Sequence, residues 1–331
     1  MTSIIKNSRV LVTGGAGFIG SNLIESLLKD ENQVICLDNF ITGKRDNLAG
    51  FKDNKNFTFI EGDIRDRDLC SKACDGVDYV LHQAALGSVP RSIKDPVTTN
   101  EINVGGFVNM LWAAVEAKVK RFVYASSSSV YGDSPNLPKV EHDTGKPLSP
   151  YALTKSINEQ YAAIFSKSYG LETVGLRYFN VFGPRQDPYG AYAAVIPKFV
   201  LSLMRHESPL INGDGSFSRD FIYVTNVIQA NQKAAVAENV ETVNTVCNIA
   251  CGGRVDLNEL FEAIRKELSR FDHNIGTIEA EYGPMRNGDI PHSLADISLA
   301  REMLGYDPQI QFREGLAACA EWYWNNYKEL V

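Results

Sequence analysis

Two side chains four residues apart, Tyr151 and Lys155, have types and spacing suited to acid-base chemistry. Ser149 and Pro150 before them are typical of a helix start, with serine as N-cap and proline at the first helical position. The phenol and the ammonium are therefore expected on one helix face. A nearby ammonium stabilises a phenolate and makes it usable as a base. By spacing alone, such a pair is more often an ordinary surface feature, so the assignment needs support from elsewhere.

That support is a glycine-rich turn, TGGAGFIG, over residues 13–20. The run before it predicts a strand at 9–13, and the apolar spacing after it predicts a helix over 18–28. Missing side chains allow a tight turn and let a pyrophosphate approach the backbone N–H groups at the helix N-terminus. Chance glycine clusters are common, but the strand before and the helix after make this one specific. The turn predicts a dinucleotide site.

Acidic residues at two later strand ends refine the cofactor prediction. Asp38 lies 18 residues beyond Gly20, where a carboxylate can accept hydrogen bonds from both hydroxyls of an adenosine ribose. Because that charge would repel a 2′-phosphate, NAD is favoured over NADP, although Lys44 and Arg45 leave the phosphorylated form open. Asp63, after the third predicted strand, could accept from the adenine amino group or could be a plain helix N-cap.

Four consecutive serines, 126–129, follow the fifth predicted strand. Side chains at the carboxyl end of a strand in a doubly wound sheet face the ligand crevice, so one of these hydroxyls could relay a proton from a substrate hydroxyl. A polar loop without chemistry would suit the same run.

Alternating strand and helix patterns predict an α/β fold with a Rossmann-type doubly wound parallel sheet. Further strands are expected at 33–38, 57–61, 77–82, 121–126, 173–178 and 246–250, and helices at 65–74, 96–118, 150–169 and 312–327. Residues 1–180 are expected to form mainly the NAD-binding domain, with the chain re-entering it near 220–255. Residues 181–331 are expected to form mainly a smaller substrate-binding α/β domain.

The bulk composition is that of an ordinary enzyme-like chain of 331 residues, 44% hydrophobic and 22% charged. The formal net charge of −7 gives no general attraction to nucleic acid or anionic lipid. No stretch has the length of a membrane helix, and the first residues lack a leader pattern, which favours the cytoplasm. The six cysteines lack metal-ligand spacing and read as free, buried thiols in a reducing compartment; no metal is expected.

In combination these motifs identify the chain as a member of the extended short-chain dehydrogenase/reductases, resembling the UDP-N-acetylhexosamine 4-epimerases of the UDP-galactose 4-epimerase family. The resemblance rests on residues 13–20, 37–40, 62–64, 82–85, 126–132, 149–155, 177–180, 212–215 and 219–221. It implies that NAD is held by residues Gly14, Gly17, Phe18, Ile19, Gly20, Asp38, Asn39, Phe40, Thr42, Gly43, Asp63, Ile64, Gln83, Ala84, Ala85, Lys155 and Tyr178.

The same resemblance implies catalytic roles and a reaction. Tyr151 is the base, Lys155 its activator and Ser127 the proton-relaying hydroxyl. The sugar is oxidised at C4, the 4-keto sugar rotates about its link to the diphosphate, and hydride returns to the opposite face. The substrate-binding residues implied are Gly87, Ser88, Ser127, Ser128, Ser129, Tyr151, Asn180, Ala194, Val195, Phe199, Leu210, Asn212, Arg219, Arg286, Asp289 and Ser293.

Two differences from related families narrow the reaction and the substrate that the resemblance implies. Dehydratases and decarboxylases of this type carry an acidic residue where this chain has Ser128 and Ser129. Ser293 stands where hexose-restricted epimerases have a bulky tyrosine, which leaves room for a 2-acetamido group. Whether C6 is an alcohol or a carboxylate stays open, since Arg91 or Arg185 could pair with an acid.

Two alternative functions remain: a nucleotide-sugar dehydratase or decarboxylase, and a non-catalytic dinucleotide-sensing protein on the same fold. A sensor would need only the glycine turn, so the presence of serine, tyrosine and lysine together argues against it. A homodimer is a fold-level expectation, with helices around residues 104–117 and 151–168 pairing across a two-fold axis.

Overall fold

A seven-stranded parallel sheet forms the centre of the protein in the computed structural model, which describes residues 4–190, 193–285 and 290–329. The predicted doubly wound α/β sheet is confirmed. The strands of this sheet are β1 (Arg9–Thr13), β2 (Gln33–Asp38), β3 (Phe57–Glu61), β4 (Tyr79–His82), β5 (Arg121–Ser127), β6 (Thr173–Tyr178) and β11 (Thr245–Ile249). Three two-stranded ladders are formed by β7 (Asn180–Phe182), β8 (Leu210–Asn212), β9 (Ser218–Arg219), β10 (Phe221–Tyr223), β12 (Val255–Asp256) and β13 (Glu281–Gly283).

The strand order in the large sheet is β11-β6-β5-β4-β1-β2-β3. Strand β1 therefore has β2 on one side and β4 on the other, and the chain order reverses there. In an open parallel sheet, ligands bind beyond the carboxyl ends of the strands at such a reversal. The glycine turn after β1 and the loop after β4 both emerge at this point.

Eleven α-helices occur within the described residues, several of them on the two faces of the sheet. They are α1 (Phe18–Lys29), α2 (Arg67–Cys74), α3 (Val89–Lys94), α4 (Pro96–Asn100), α5 (Phe107–Glu116), α6 (Pro150–Tyr169), α7 (Val195–Met204), α8 (Val224–Val236), α9 (Leu257–Leu268), α10 (Ser298–Leu304) and α11 (Phe312–Tyr327).

Helix α6 begins and ends as its sequence predicts. The Ser149 hydroxyl accepts a hydrogen bond from the backbone N–H of Ala152, and Pro150 occupies the first turn. Gly170 ends the helix in the left-handed conformation, with φ 70°. These local signals set the register in which Tyr151 and Lys155 face the same side.

The single helix predicted over residues 96–118 is wrong in one respect, because a π-helical turn, Glu101–Gly106, separates α4 from α5. The wider turn carries Asn103, whose side-chain oxygen accepts from the Leu86 N–H and whose amide nitrogen donates to Thr154 Oγ1. Gly106 lets this segment approach Ile64, since a Cβ there would lie 2.5 Å from Ile64 Cγ1. A periodicity of 3.6 residues cannot show such a turn, which often accompanies functional sites.

Alternate residues along the central strands point to opposite faces of the sheet, and each face has its own hydrophobic core. Val10 and Val12 belong to one core cluster, and Leu11 belongs to the other. A third cluster packs α7, α9 and α11 together with Phe182 and Phe221 of the β7–β10 ladder. Among the described helices, none combines the length and the apolar character that a bilayer span needs.

Candidate functional site

A cavity of about 470 Å³ lies at the carboxyl ends of the large sheet's strands. Nearly all the predicted cofactor residues line it, and three predicted catalytic residues lie on the same wall. The predicted residues on its walls are Gly14, Gly17, Phe18, Ile19, Gly20, Asp38, Asn39, Thr42, Asp63, Ile64, Gln83, Ala84, Ala85, Gly87, Ser127, Tyr151, Lys155 and Tyr178. Groups at the carboxyl ends of β1 to β6 thus meet two residues of α6 around one cavity.

The glycine turn forms a cradle that side chains would fill. Gly14 has φ +67°, and a Cβ there would lie 2.7 Å from the Ala84 backbone nitrogen. A Cβ at Gly20 would lie 2.2 Å from the Gly14 carbonyl oxygen. The first amides of α1 are therefore open toward the cavity at the positive end of the helix dipole, which is the geometry that a diphosphate requires. The residues present fit a dinucleotide.

Asp38 is fixed at the end of β2 by two backbone N–H groups. Its Oδ2 accepts from Ala16 at 2.9 Å and its Oδ1 accepts from Phe40 at 2.7 Å. Burial raises the pKa of this carboxyl, and the backbone hydrogen bonds oppose that rise. Phe40 and Gly43, also predicted to contact the cofactor, are outside the cavity wall and act here on Asp38: a Cβ at Gly43 would lie 2.9 Å from Asp38 Oδ1.

The two cations that left NADP open are already paired in the structure. Lys44 Nζ lies 2.7 Å from Asp187 Oδ1, and Arg45 Nη2 lies 2.8 Å from Glu61 Oε1. The Arg45 guanidinium also lies 4.1 Å from the centre of the Phe40 ring. A 2′-phosphate would have to compete with these carboxylates and with Asp38, so the local charges favour NAD.

Asp63 is a wall residue of the cavity and not a helix cap. The N-cap of α2 is Asp66, whose side chain accepts from the Leu69 N–H. Arg65 donates to both oxygens of Asp63, and Asn39 Nδ2 donates to Oδ2 at 2.8 Å. The hydrogen bonds from Arg65 hold the pKa of this carboxyl below its usual value, so Asp63 presents a fixed negative acceptor at the end of β3.

The Tyr151 phenol is buried beside Ser127. Burial raises the pKa of the phenol, and its hydrogen bond with Ser127 lowers it only in part. Ser127 Oγ accepts from the Ser129 N–H at 3.2 Å and from Ser129 Oγ at 2.9 Å. Because the Ser129 hydroxyl can rotate, Ser127 can accept a proton from a substrate hydroxyl while it donates its own toward Tyr151.

Lys155 lies one turn along α6 from Tyr151, and its Nζ is 6.0 Å from the centre of the tyrosine ring. The ammonium donates to the Ala125 carbonyl at 2.8 Å. Burial lowers the pKa of Lys155 to about 8, and the nearby Glu159 carboxylate limits that fall. In this arrangement the lysine is not by itself enough to bring the Tyr151 pKa below its ordinary value, contrary to the simple expectation from spacing.

A cyclic hydrogen-bond network beneath the cavity was not found by sequence reasoning. Gln83 Nε2 donates to Asn231 Oδ1 at 3.0 Å, Asn231 Nδ2 donates to Tyr178 Oη at 2.8 Å, and the Tyr178 hydroxyl donates to Gln83 Oε1 at 3.2 Å. Gln83 and Tyr178 line the cavity, and Asn231 is fully buried on α8. Each donor meets an acceptor, so the network sets the orientation of two wall residues.

Most predicted substrate residues lie outside this cavity, largely on the elements that follow β6. Asn180 begins β7 and donates to the Asp220 carbonyl, Phe199 is buried in α7 against Phe261, and Leu210 is exposed on β8. Arg286 and Asp289 lie outside the described residues. The others not on the cavity wall are Ser88, Ser128, Ser129, Ala194, Val195, Asn212, Arg219 and Ser293.

Several wall residues were not predicted, and their signals in the sequence differ. Ser126 belongs to the serine run and donates to Glu159, so a choice among four serines could have included it. Gln186 lies in a turn-rich stretch that offers no periodicity. The remaining wall residues outside the prediction are Leu37, Ile41, Gly62, Ile102, Ala125 and Val181.

Known proteins with this architecture share its sequence along almost the whole chain. Residues 10–250 match the model of the NAD dependent epimerase/dehydratase family. A putative UDP-glucose 4-epimerase of Methanocaldococcus jannaschii is 40% identical over 96% of this chain and 99% of its own length.

Two solved structures are also similar. A UDP-N-acetylglucosamine 4-epimerase of Methanobrevibacter ruminantium, in complex with UDP-N-acetylmuramic acid, is 42% identical with a TM-score of 0.90, covering 97% of this chain and 99% of that one. A UDP-glucose 4-epimerase of Thermotoga maritima with UDP-glucose is 36% identical with a TM-score of 0.88, covering 98% and 100%. The predicted cofactor, NAD, is the one in the family's description. The chain belongs to the NAD dependent epimerase/dehydratase family.

Proposed function

We propose that this protein is an NAD-dependent 4-epimerase of UDP-N-acetylhexosamines, interconverting UDP-GlcNAc and UDP-GalNAc, with the corresponding uronic acids as further substrates. The observation that carries the proposal is the convergence of Ser127, Tyr151 and Lys155 on one wall of the dinucleotide cavity. A substrate alcohol group bound against that wall would contact both a base and a proton-relaying hydroxyl.

The residues of the chain divide the chemistry between them. When bound, NAD would supply a hydride acceptor for C4, and its oxidised form would supply a positive charge. Tyr151 takes the C4 hydroxyl proton, directly or through Ser127, and later gives it back. The Lys155 ammonium donates to the Ala125 carbonyl and keeps a positive charge near Tyr151. The 4-keto sugar must then turn about its diphosphate link, which requires a firmly held nucleotide and a loosely held sugar.

Residues of the later elements supply the nucleotide-binding side in this proposal. Asn180, Arg219, Arg286 and Asp289 hold the diphosphate and uridine with Asn212, Ala194 and Val195, and Phe199 and Leu210 flank uracil. Gly87, Ser88 and Ser128 with Ser129 border the sugar. The domain division belongs to the same proposal: residues 1–180 with the 220–255 segment bind NAD, and 181–331 mainly bind the UDP-sugar.

The substrate preference and the type of reaction follow from three small side chains. Ser293 occupies the position at which a bulky residue would crowd a 2-acetamido group. Ser128 and Ser129 provide no carboxyl group for the second proton transfer that elimination or decarboxylation needs, which disfavours the dehydratase and decarboxylase alternatives.

The proposal is tested by incubating purified protein separately with UDP-GlcNAc, UDP-Glc and UDP-GlcNAcA, and following the C4 configuration by NMR. Conversion of UDP-GlcNAc to UDP-GalNAc with no loss of water or CO₂ is expected. A Ser293→Tyr variant should lose activity on the acetamido sugar and keep it on UDP-Glc. A dehydrated or decarboxylated product, or inversion of UDP-Glc alone, would contradict the assignment.

A homodimer in the cytoplasm completes the proposal. Three large apolar residues of α6, Leu153, Tyr161 and Ile164, are 49%, 36% and 55% exposed. A partner helix packed on this face would remove that apolar surface from water. The six cysteines are all free thiols, as suits a reducing compartment. Ile164→Glu should convert the dimer to a monomer in analytical ultracentrifugation, whereas Tyr282→Glu, an exposed position on β13, should not.

A further inference from the structure

One polar side chain lies on the face with which helix α8 packs against the central sheet. Val227, Ala230 and Ala234 on this face are fully buried in an apolar core, and Asn231 beside them is equally inaccessible. A buried amide costs free energy unless its donors and its acceptor are paired. An apolar side chain would fill the position without that cost, so the contacts of Asn231 need an explanation.

The partners of Asn231 include two residues of the cavity wall. Gln83 Nε2 donates to Asn231 Oδ1 at 3.0 Å. Asn231 Nδ2 donates to the Tyr178 hydroxyl oxygen and to the Val227 carbonyl, each at 2.8 Å. Gln83 and Tyr178 line the cavity, whereas Asn231 does not. Asn231 therefore acts on a ligand in the cavity through these two side chains and not by contact.

The Val227 carbonyl determines the direction of the hydrogen bonds in this network. Turning the Asn231 amide over would place its oxygen against that carbonyl, with two acceptors facing each other. Asn231 must therefore present its oxygen to Gln83, which in turn must present its nitrogen. The Gln83 oxygen is then left for the Tyr178 hydroxyl, which donates to it at 3.2 Å. One buried amide thus fixes the orientation of a second amide and of a hydroxyl.

Both oriented groups lie close to the predicted reaction centre and the glycine cradle. Tyr178 is paired in register with Ser127 where β6 runs beside β5, so the two residues are neighbours at the carboxyl edge of the sheet. The Gln83 backbone N–H donates to the Thr13 carbonyl, directly before the glycine turn. With its backbone held there, Gln83 keeps only its side-chain torsions, and Asn231 restrains those. Side chains ordered before a ligand arrives reduce the entropy cost of binding.

We infer that Asn231 is a positioning residue for the cofactor: it holds the Gln83 amide and the Tyr178 hydroxyl in the orientation that the bound dinucleotide requires. The inference rests on the assignment of this cavity to NAD in the proposed function. It gives α8, which follows the NAD-binding strands β1 to β6 in the chain, a part in the cofactor site.

The first experiment is a calorimetric titration of NAD into nucleotide-free protein, without any UDP-sugar. Asn231→Leu has a similar volume and no polar atom, so Gln83 and Tyr178 lose their restraint. NAD should then bind about tenfold more weakly, the upper end of what one net hydrogen bond contributes. Asn231→Ala removes the same amide, adds no bulk and should show the same loss. Wild-type affinity in either variant would overturn the inference.

The matched control is Asn226→Leu, on the same helix. Asn226 is also buried and hydrogen-bonded, but its partners include the backbone carbonyl and N–H of Ile310, and it is not on the cavity wall. Its loss should lower the thermal unfolding midpoint and leave the NAD affinity unchanged. An equal loss of NAD affinity in Asn226→Leu would show that any weakening of α8 has this effect, and would contradict a specific role for Asn231.

A double-mutant cycle distinguishes positioning from support of the fold. In a background of Gln83→Met with Tyr178→Phe, nothing is left for Asn231 to orient. Adding Asn231→Leu or Asn231→Ala to that background should change the NAD affinity by less than about twofold, the usual limit for independent sites. A tenfold loss in both backgrounds would mean that Asn231 acts on the fold and not through its two partners, which would refute the inference.

The two proposals can fail separately. A wild-type protein that binds NAD and inverts no UDP-sugar would refute the proposed function and leave this inference standing. A wild-type protein that does not bind NAD would refute both.

Discussion

At the scale of single residues, the reaction centre depends on which oxygen holds which proton. Ser127 Oγ accepts from the Ser129 backbone N–H, and its own proton is donated toward the Tyr151 phenol. That donation stabilises the phenolate, which matches the direction of its effect on the Tyr151 pKa. Burial still keeps this pKa above its ordinary value, so the full base strength is expected only with oxidised NAD in place.

Removing the phenol oxygen tests the assignment of the base. Tyr151→Phe should reduce turnover by about 10²- to 10⁴-fold, the usual contribution of a positioned general base, and should leave NAD binding unchanged. Turnover is followed by NMR and NAD binding by calorimetry. Activity within tenfold of the wild type would show that another group is the base.

At the scale of elements, α6 carries more of the site than its two predicted residues. Tyr151, Lys155 and Glu159 are spaced i, i+4 and i+8 on one face. Arg177 of β6 donates from Nε to Glu159 Oε1 at 2.9 Å and from Nη2 to Oε2 at 2.8 Å, and the Ser126 hydroxyl donates to the same carboxylate. This buried ion pair sets the charge that faces Lys155.

The loss of activity at alkaline pH is expected to depend on the Glu159 charge that faces Lys155. Lys155 is protonated below its pKa of about 8, so activity should fall as the pH rises through that value. Glu159→Gln removes the charge that supports the ammonium and should move the midpoint of the fall to lower pH. Breaking the buried pair should also cost about 3 kcal/mol of unfolding free energy.

The matched control is Glu172→Gln, which also loses an arginine partner, Arg121, but is remote from α6's catalytic face. Its pH profile should coincide with that of the wild type. A Glu159→Gln profile with an unmoved alkaline midpoint would mean that Lys155 does not sense this carboxylate.

The turn between β1 and α1 allows a second test at this scale. A Cβ at position 20 would meet the Gly14 carbonyl oxygen, which is backbone and cannot rotate aside. Gly20→Ala should therefore displace the turn, abolish measurable NAD binding and cost about 1–3 kcal/mol of stability. Gly50→Ala is the control, because nothing lies within 4 Å of its added methyl group. Normal NAD affinity in Gly20→Ala would contradict this account of the cradle.

At the scale of the whole molecule, Asp220 joins three distant segments. This carboxylate is fully buried after β9 and accepts backbone N–H groups from Cys251 and Gly252, each at 3.0 Å, and from Ala295 at 3.4 Å. It thereby connects the β9–β10 region, the loop after β11 and the segment that precedes α10. Both Arg219 and Ser293, proposed substrate residues, lie within two positions of these contacts.

The cost of burying this charge predicts a pH-dependent stability. Burial raises the pKa of Asp220 from 3.8 to about 6, so its contribution favours the fold below pH 3.8 and is lost as the pH rises toward 6. Asp220→Asn does not titrate. Its unfolding free energy relative to the wild type should therefore improve by up to about 3 kcal/mol between pH 4 and pH 7. Urea denaturation at both pH values measures this, and a difference independent of pH would contradict it.

The sequence by itself determined the local features: the strand–glycine turn–helix start, Asp38 at a strand end, and α6 with its caps and its tyrosine and lysine. Each depends on residues close together in the chain, whose backbone requirements and periodicity are visible locally. It also sufficed to predict the parallel sheet, because alternating strand and helix patterns leave few other arrangements.

Only the tertiary structure decided which distant groups meet. Asn231 reaches Gln83 and Tyr178 from a helix some 150 residues further along the chain than Gln83, and Gln186 lies on the cavity wall in a segment that is hydrogen-bonded to α1. Neither residue stands in a periodic or motif-like pattern. The π turn at Glu101–Gly106 and the raised Tyr151 pKa are of the same kind, since packing and burial are properties of the assembled sheet and its helices.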